Sequence, residues 1–309
     1  MQRGAAAAAP KIARPHSRER CSLLPPLSRR RCLLAGALVW AGLPARANQE
    51  RLRLAIIPHL PAAVLMERYA TLGRHLEREL GQPVDLVSAP DYRSHALRVA
   101  AGDYDLVVTA PQFVHLALTD GGYQPIVSIG RNLTTHIAVR ADSPLDGLAS
   151  LRGQRVATSD MLSLPAINGA ALLERAGVPA ASYTLHYYPN NSAALHALLI
   201  GDADATFLGM TSLTAATPEQ RARIRMLATS DPVGPAHVLG KAALGKALLE
   251  RLRDAMARFE GTDEGRQFFG MRGIEPGEGA MVRPIEVREL RWLDTVTRRL
   301  LAAPAPAKP

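Results

Sequence analysis

From Arg51 onward, short apolar runs alternate with stretches of helical periodicity, and this alternation restricts the chain to a small set of folds. The apolar run 51–57 stops at Pro58. Val64, Leu65, Tyr69, Leu72, Leu76 and Leu80 then recur at helical spacing until Gly81, a residue suited to a helix end. Strand 84–90, helix 92–101, strand 104–110, helix 112–118 and strand 125–129 follow in the same manner. The pattern restarts at Gly153 with strand 154–157, helix 165–176 closed by Gly177, strand 183–188 and helix 192–200. The runs 205–209 and 224–228 complete the second set.

Repeated strand–helix units imply mostly parallel sheets with helices on both faces. Two such sets, divided near residues 141–145, predict two α/β lobes. The remainder reads as helical: Leu244, Leu248, Leu252, Ala255, Met256 and Phe259 share one face, and 285–301 forms a last helix. The Pro/Ala/Lys segment 302–309 has no core residues and is expected to be a disordered tail.

The first 47 residues carry a separate signal. A basic stretch, Ser28-Arg-Arg-Arg31, precedes an apolar run from Cys32 to Leu43 and then Ala45-Arg-Ala47, the three parts of a cleavable export leader in order. The apolar run is too short to cross about 30 Å of hydrocarbon. Cleavage after Ala47 would make Asn48 the first mature residue. The paired arginines followed by two leucines resemble a twin-arginine (Tat) signal, in which Cys32 replaces the usual Phe; the Sec route is the alternative.

Nine of the 37 Lys/Arg and one of the 28 Asp/Glu lie in that leader, so most of the net charge of +9 leaves with it. The near-neutral remainder gives no reason to expect a nucleic-acid partner. Both cysteines, Cys21 and Cys32, are also in the leader, which excludes disulfides, a thiol nucleophile and cysteine-ligated metal from the mature chain. The sequence contains no Gly-x-Ser-x-Gly elbow, P-loop, Gly-x-Gly-x-x-Gly after a strand, or His-Glu-x-x-His, and its histidines lack metal-ligand spacing. Asp103, Asp105, Asp202 and Asp204 sit in turns before strands, where capping and solvation account for them. A non-enzyme without cofactor or metal is therefore expected.

Several local motifs, in order, carry a family resemblance over about 51–273. They are Ser88-Ala-Pro-Asp-Tyr92, Ala100-Ala-Gly-Asp-Tyr-Asp-Leu-Val107, Ala110-Pro111, Gly121-Gly-Tyr-Gln-Pro125, Val139-Arg-Ala-Asp-Ser143, Leu148-Ala-Ser-Leu-Arg-Gly-Gln-Arg-Val156 and Gly201-Asp-Ala-Asp-Ala205. Together they resemble the phosphate/phosphite/phosphonate-type periplasmic substrate-binding proteins of ABC importers. The resemblance implies the type II periplasmic binding fold: lobe I from 48–137 plus 233–301, lobe II from 138–232, and a ligand in the cleft between them with closure by hinge motion. It implies a monomer in the periplasm that hands a small oxyanion, or another small polar solute, to an inner-membrane permease. A binding protein signalling to a membrane histidine kinase or chemoreceptor is the alternative, and an exported hydrolase a weaker one.

Ligands of open α/β sheets sit beyond the carboxyl ends of strands, where helix N-termini present free N–H groups. The turns that follow those strands supply the candidates His59, Thr109, Gln112, Phe113, Ser159, Ser163, Asn190, Asn191 and Ser192. Thr135 and His136 join them from the segment that the resemblance places at a lobe crossing. Ser159, Asp160 and Ser163, like Asn190 to Ser192, serve equally well as helix caps, and Phe113 as core. One departure bears on the ligand. The resemblance implies a Ser-Thr-Ser-Gly-like hydroxyl cluster at the start of the second-lobe helix, whereas this chain has Asp160-Met-Leu-Ser-Leu-Pro165 there. An acidic group beside a dianion is unfavourable unless it is paired or turned away.

Overall fold

The structure, a computed structural model, describes residues 51–270, 280–286 and 290–304. The leader with Cys21, Cys32 and the Ala47 site, and the last residues of the tail, lie outside these. The first lobe opens with β1 (Leu52–Ile56), α1 (Ala62–Leu80), β2 (Val84–Ser88), α2 (Tyr92–Ala100) and β3 (Leu106–Thr109). A 3-10 turn at Pro111–Phe113 then runs into α3 (Val114–Thr119), followed by β4 (Tyr123–Ile129).

The chain next enters a second sheet with β5 (Thr135–Arg140), β6 (Arg155–Thr158), α4 (Leu164–Arg175), β7 (Thr184–Tyr187) and α5 (Asn191–Ile200). It continues through β8 (Ala205–Gly209), α6 (Met210–Ala215), α7 (Pro218–Ala222) and β9 (Ile224–Thr229). The return to the first lobe brings β10 (Ala236–Lys241), α8 (Lys246–Glu260), α9 (Asp263–Phe268), β11 (Val282–Arg283) and α10 (Arg291–Ala302).

Local chemistry explains most of these boundaries. In α1, Leu65, Tyr69, Leu72, Leu76 and Leu80 are buried on one face, and Gly81 ends the helix at φ +67°, a left-handed conformation that glycine adopts without Cβ strain. Asp91, Ser163 and Asn190 cap α2, α4 and α5 by accepting from Ser94 N at 2.7 Å, Ala166 N at 3.2 Å and Ala193 N at 3.0 Å. The strand β1 is buried on both faces at Leu54, Ala55 and Ile56, as its unbroken apolar run requires.

The two sheets share one plan. The first has strand order β11-β4-β10-β3-β1-β2 and the second β7-β6-β8-β5-β9. In the first, β1 runs parallel to β2 and β3 while β10 runs antiparallel to β3 and β4. In the second, β6 runs parallel to β7 and β8 while β5 runs antiparallel to β8 and β9. Apart from the added edge strand β11, which runs antiparallel to β4, each sheet thus holds one reversed strand, and that strand is the one entered by crossing from the other lobe. The crossings, 130–134 and 230–235, pair with each other: Leu133 N donates to Val233 O at 2.9 Å and Val233 N to Leu133 O at 2.8 Å.

Two expectations need correction. Thr135 and His136 belong to a continuous strand of the second sheet, so the first crossing precedes them and the expected 137/138 boundary falls inside β5. The last helix begins at Arg291 rather than Ile285; residues 284–286 form no helix, and just ahead of them the short strand β11 lies on β4, where Arg283 Nη2 donates to Gly130 O at 3.1 Å. From there α10 is fastened to the first lobe. Arg298 bonds Asp120 at 2.8 Å and Asp294 at 3.0 Å, and Arg93 donates to the carbonyls of Leu301 at 2.6 Å, Leu300 at 3.0 Å and Ala303 at 2.7 Å.

The lobe cores are built by helices lying on both sheet faces. Leu54, Leu65, Leu72, Leu76, Leu252 and Phe259 pack together where α1 and α8 cover the first sheet. In the second lobe, Ile137, Val156, Leu173 and Phe207 form the main cluster. Here Gly169 of α4 lies directly on the Phe207 ring, and a Cβ at that position would stand 2.5 Å from its Cγ. Alanine usually gains about 1 kcal/mol over glycine within a helix, but a fully buried ring has nowhere to go. Gly169→Ala is therefore expected to destabilise the protein by about 1–3 kcal/mol in urea unfolding; an unchanged or raised midpoint would contradict this packing.

Candidate functional site

The carboxyl ends of β1, β3, β4 and β8 and the amino ends of the reversed strands β5 and β10 border one cleft of about 830 Å3. This is the end of an α/β sheet where loops can be shaped for binding without disturbing the core. The first lobe contributes His59, Tyr92, Ala110 and Gln112 from the turns after its strands, and Val64, Arg68 and Tyr69 from α1. The crossing contributes Arg131 to Thr135, and the second lobe Leu164, Pro165, Asn191 and Met210.

Of the residues singled out from the sequence, the structure brings His59, Gln112, Thr135 and Asn191 together here. Thr109 and Phe113 point the other way, into the packing beneath α2: Thr109 Oγ1 meets His95 Nε2 at 3.2 Å, and the Phe113 ring lies 5.8 Å from that of His95. Ser163 and Asn190 spend their side-chain oxygens on helix caps, while Ser192 is exposed. His136 is bonded within its own sheet edge, to Thr134 Oγ1 at 3.1 Å and Thr229 Oγ1 at 2.9 Å. Ser159 is buried beside the phenol of Tyr92.

Three of the clefts' polar atoms stand out. Gln112 Oε1, Thr135 Oγ1 and Asn191 Oδ1 are buried with no hydrogen-bond partner among the described residues. Buried polar groups are rarely left unpaired, so a cleft edged by three of them is suited to a polar guest or ordered water. Charge comes from elsewhere. Arg68 and Arg131 reach the cleft without an ion-pair partner among the described residues, and Glu67 and Glu264 also line it. His59 adds no cation, because burial pushes its pKa down to about 4, with Arg68 acting in the same direction. Its Nδ1–H donates to Ile57 O at 3.0 Å.

The start of α4 is arranged differently from an open anion cradle. Asp160 Oδ1 accepts from Leu162 N at 2.8 Å, which ties the carboxylate into its own turn. Leu162 is fully buried against Ile57, Tyr92 and Phe113 of the first lobe, and its carbonyl accepts from Gln112 Nε2 at 3.0 Å. Burial raises the Tyr92 pKa, and the Asp160 carboxylate raises it further.

Sequence reasoning missed Arg68, Arg131 and Leu162. The clue for Arg68 was present: it lies one helical turn from Val64, and Val64 proves to be 46% exposed on the cleft rather than part of the core face assigned to it. Nothing local distinguishes Arg131 or Leu162, whose surroundings depend on both lobes.

Two α/β lobes of matching strand plan, joined by paired crossings and facing one cleft, define a type II periplasmic binding protein. The family model described as "ABC transporter, phosphonate, periplasmic substrate-binding protein" matches residues 54–278, and the chain belongs to that family. That family is one of periplasmic substrate-binding proteins of ABC transporters. Among solved structures, PhnD1 from Prochlorococcus marinus (MIT 9301) in complex with methylphosphonate matches at TM-score 0.72 and 15% identity, covering 82% of this chain and 99% of the other. A binding protein component of an ABC phosphonate transporter from Pseudomonas aeruginosa matches at TM-score 0.70 and 13% identity, covering 82% and 88%. The alkanesulfonate-binding protein SsuA from Xanthomonas axonopodis pv. citri bound to MOPS matches at TM-score 0.59 and 17% identity, covering 82% and 94%. At these identities the likeness is one of fold.

The buried histidines set a pH dependence. His59 and His237 are lowered to about 4 and His95 to about 3, in each case chiefly by desolvation. The unfolded chain, with histidines near 6.5, binds more protons below that pH, so their contribution is complete above about pH 6.5 and is lost as pH falls toward 4. The urea midpoint should drop from pH 7 to pH 5, with net proton uptake on unfolding; a flat or rising midpoint over that interval would refute the assignment.

Proposed function

We propose that this protein captures a small solute bearing an oxyanionic group in the cleft between its lobes and delivers it to an inner-membrane ABC permease. The observation that carries the reading is the convergence of Arg68 and Arg131, both without ion-pair partners among the described residues, with three unpartnered buried polar side chains on one cleft. Guanidinium groups suit such ligands because their planar donors match the oxygens of phosphonate, sulfonate or phosphate. The likeness to structures bound to methylphosphonate and to MOPS, a sulfonate, points to the same chemistry. In this reading His59, Gln112, Thr135 and Asn191 are the polar contacts, and the crossings are the hinge about which the lobes close. Residues 1–47 act as the export signal, and Asn48 begins the periplasmic, monomeric protein.

A ligand that binds only the folded state raises its stability by about 2.7 kcal/mol at a hundredfold excess over Kd. A thermal-shift panel of phosphate, phosphite, phosphonates, sulfate and sulfonates should therefore yield at least one clear stabiliser, and absence of any shift would rule out the oxyanion reading. For that ligand, Arg68→Ala and Arg131→Ala should each weaken binding roughly tenfold or more, the scale of one charge-assisted hydrogen bond. Unchanged affinity in both would remove the guanidinium groups from the site. N-terminal sequencing of the exported protein should begin at Asn48; an intact leader would refute the cleavage.

A further inference from the structure

We infer that Leu162 is a specificity-determining residue and that the cleft selects an anion with an apolar body over a small inorganic or one-carbon oxyanion. The inference rests on the oxyanion reading and adds to it the part of the ligand that the arginines do not hold.

The space between the lobes next to the cleft is already filled, behind the lining residues Ile57 and Tyr92. Leu162 projects from the second lobe, is 0% exposed, and packs on Ile57, Tyr92 and Phe113 of the first lobe. Gln112 Nε2 fixes its carbonyl across the lobes at 3.0 Å, and Asp160 Oδ1 fixes its N–H at 2.8 Å. The donors that a helix start would offer a compact anion are also largely spent. In the first turn of α4, Pro165 has no N–H and the N–H of Ala166 goes to Ser163 Oγ at 3.2 Å. A small, highly charged group is therefore denied the place where the strand ends and helix starts of the two lobes come closest.

What remains open is large and apolar. The cleft encloses about 830 Å3, within the range of roughly 300–1,000 Å3 typical of pockets for drug-sized ligands. Val64 from the first lobe and Met210 from the second stand 46% and 36% exposed on it, apolar surface that the body of a guest would cover. Beside them Tyr69, Phe268 and Phe269 form an edge-to-face aromatic wall, with ring centroids 5.2 Å apart for Tyr69 and Phe268 and 5.0 Å for Phe268 and Phe269. Arg68 lies one turn along α1 from Val64, so a cation and an apolar surface adjoin on the same helix face. That pairing fits a phosphonate, sulfonate or carboxylate attached to an aromatic ring or alkyl chain.

Titration calorimetry with phenylphosphonate, hexylphosphonate and benzenesulfonate against methylphosphonate, phosphite and sulfate tests the inference on the full mature chain. The expected result is binding of at least one apolar-bodied anion at least about tenfold tighter than its small counterpart, from the apolar area removed from water. Leu162→Ala should narrow this ratio by admitting the small anion. Met210→Gln, a change at an exposed position that leaves the fold intact, should narrow it by weakening only the apolar-bodied one. Methylphosphonate or phosphite binding as tightly as their apolar-bodied analogues overturns this inference and leaves the oxyanion reading standing. Failure of every anion overturns both. A ratio that neither substitution moves removes Leu162 and Met210 as its origin and overturns their assignment.

Discussion

The pairing of Leu133 with Val233 is the constraint on which the rest of the architecture depends. The chain crosses between lobes twice, and at the midpoint the two crossings hydrogen-bond to each other in both directions. Two linked strands resist shear and twist better than a single tether. Immediately beyond, Ser230 Oγ accepts from Thr135 N at 3.0 Å and Ser230 N donates to Thr135 O at 2.8 Å, so pairing runs on into the second sheet. The cleft opens beside this pair, and Thr135 both continues its pairing and lines the cleft.

Much of the fold could be read from the sequence because its signals are local. The periodicity of Leu65, Leu72 and Leu76, the stop at Gly81, and the cap positions at Ser163 and Asn190 each depend on neighbours a few residues away. The strand β5 was not recognised because it starts with Thr135 and His136, polar residues whose partners arrive from β8 and β9. Site residues were less legible still. Whether a residue after a strand faces the cleft or the core is decided by one step of backbone: Gln112 lines the cleft, while Phe113 beside it is core and Thr109 is bonded to His95. The cap interpretation of Ser163 and Asn190, weighed equally with ligand contact, is the one their geometry adopts.

The chemistry at the start of α4 illustrates how an apparent electrostatic conflict resolves. A carboxylate at the mouth of an anion site would repel its ligand, yet Asp160 is engaged in fixing the turn that presents Leu162. The same turn joins the lobes through an apolar contact and one hydrogen bond to Gln112. A second apolar cluster does so behind the crossings, where Val114, Leu164, Ile167, Leu290 and Leu293 meet around Leu133 and Val233. Through it α10, anchored to α3 by Arg298, reaches the second lobe's α4. The lobes thus adhere by buried surface at two places, and any opening must expose some of it to water.

The position of β10 also has a consequence for how the molecule is made. All strands of the second sheet lie in one unbroken stretch of chain, so that lobe can assemble as soon as it leaves the ribosome. The first sheet cannot. Its β3 and β4 are held apart by β10, which is synthesised only after the whole second lobe. The strands that emerge first are therefore completed last, through contacts between distant residues of the kind that slow folding. Until then the first lobe has an open seam in its centre, with the unpaired edges of β3 and β4 available to other chains.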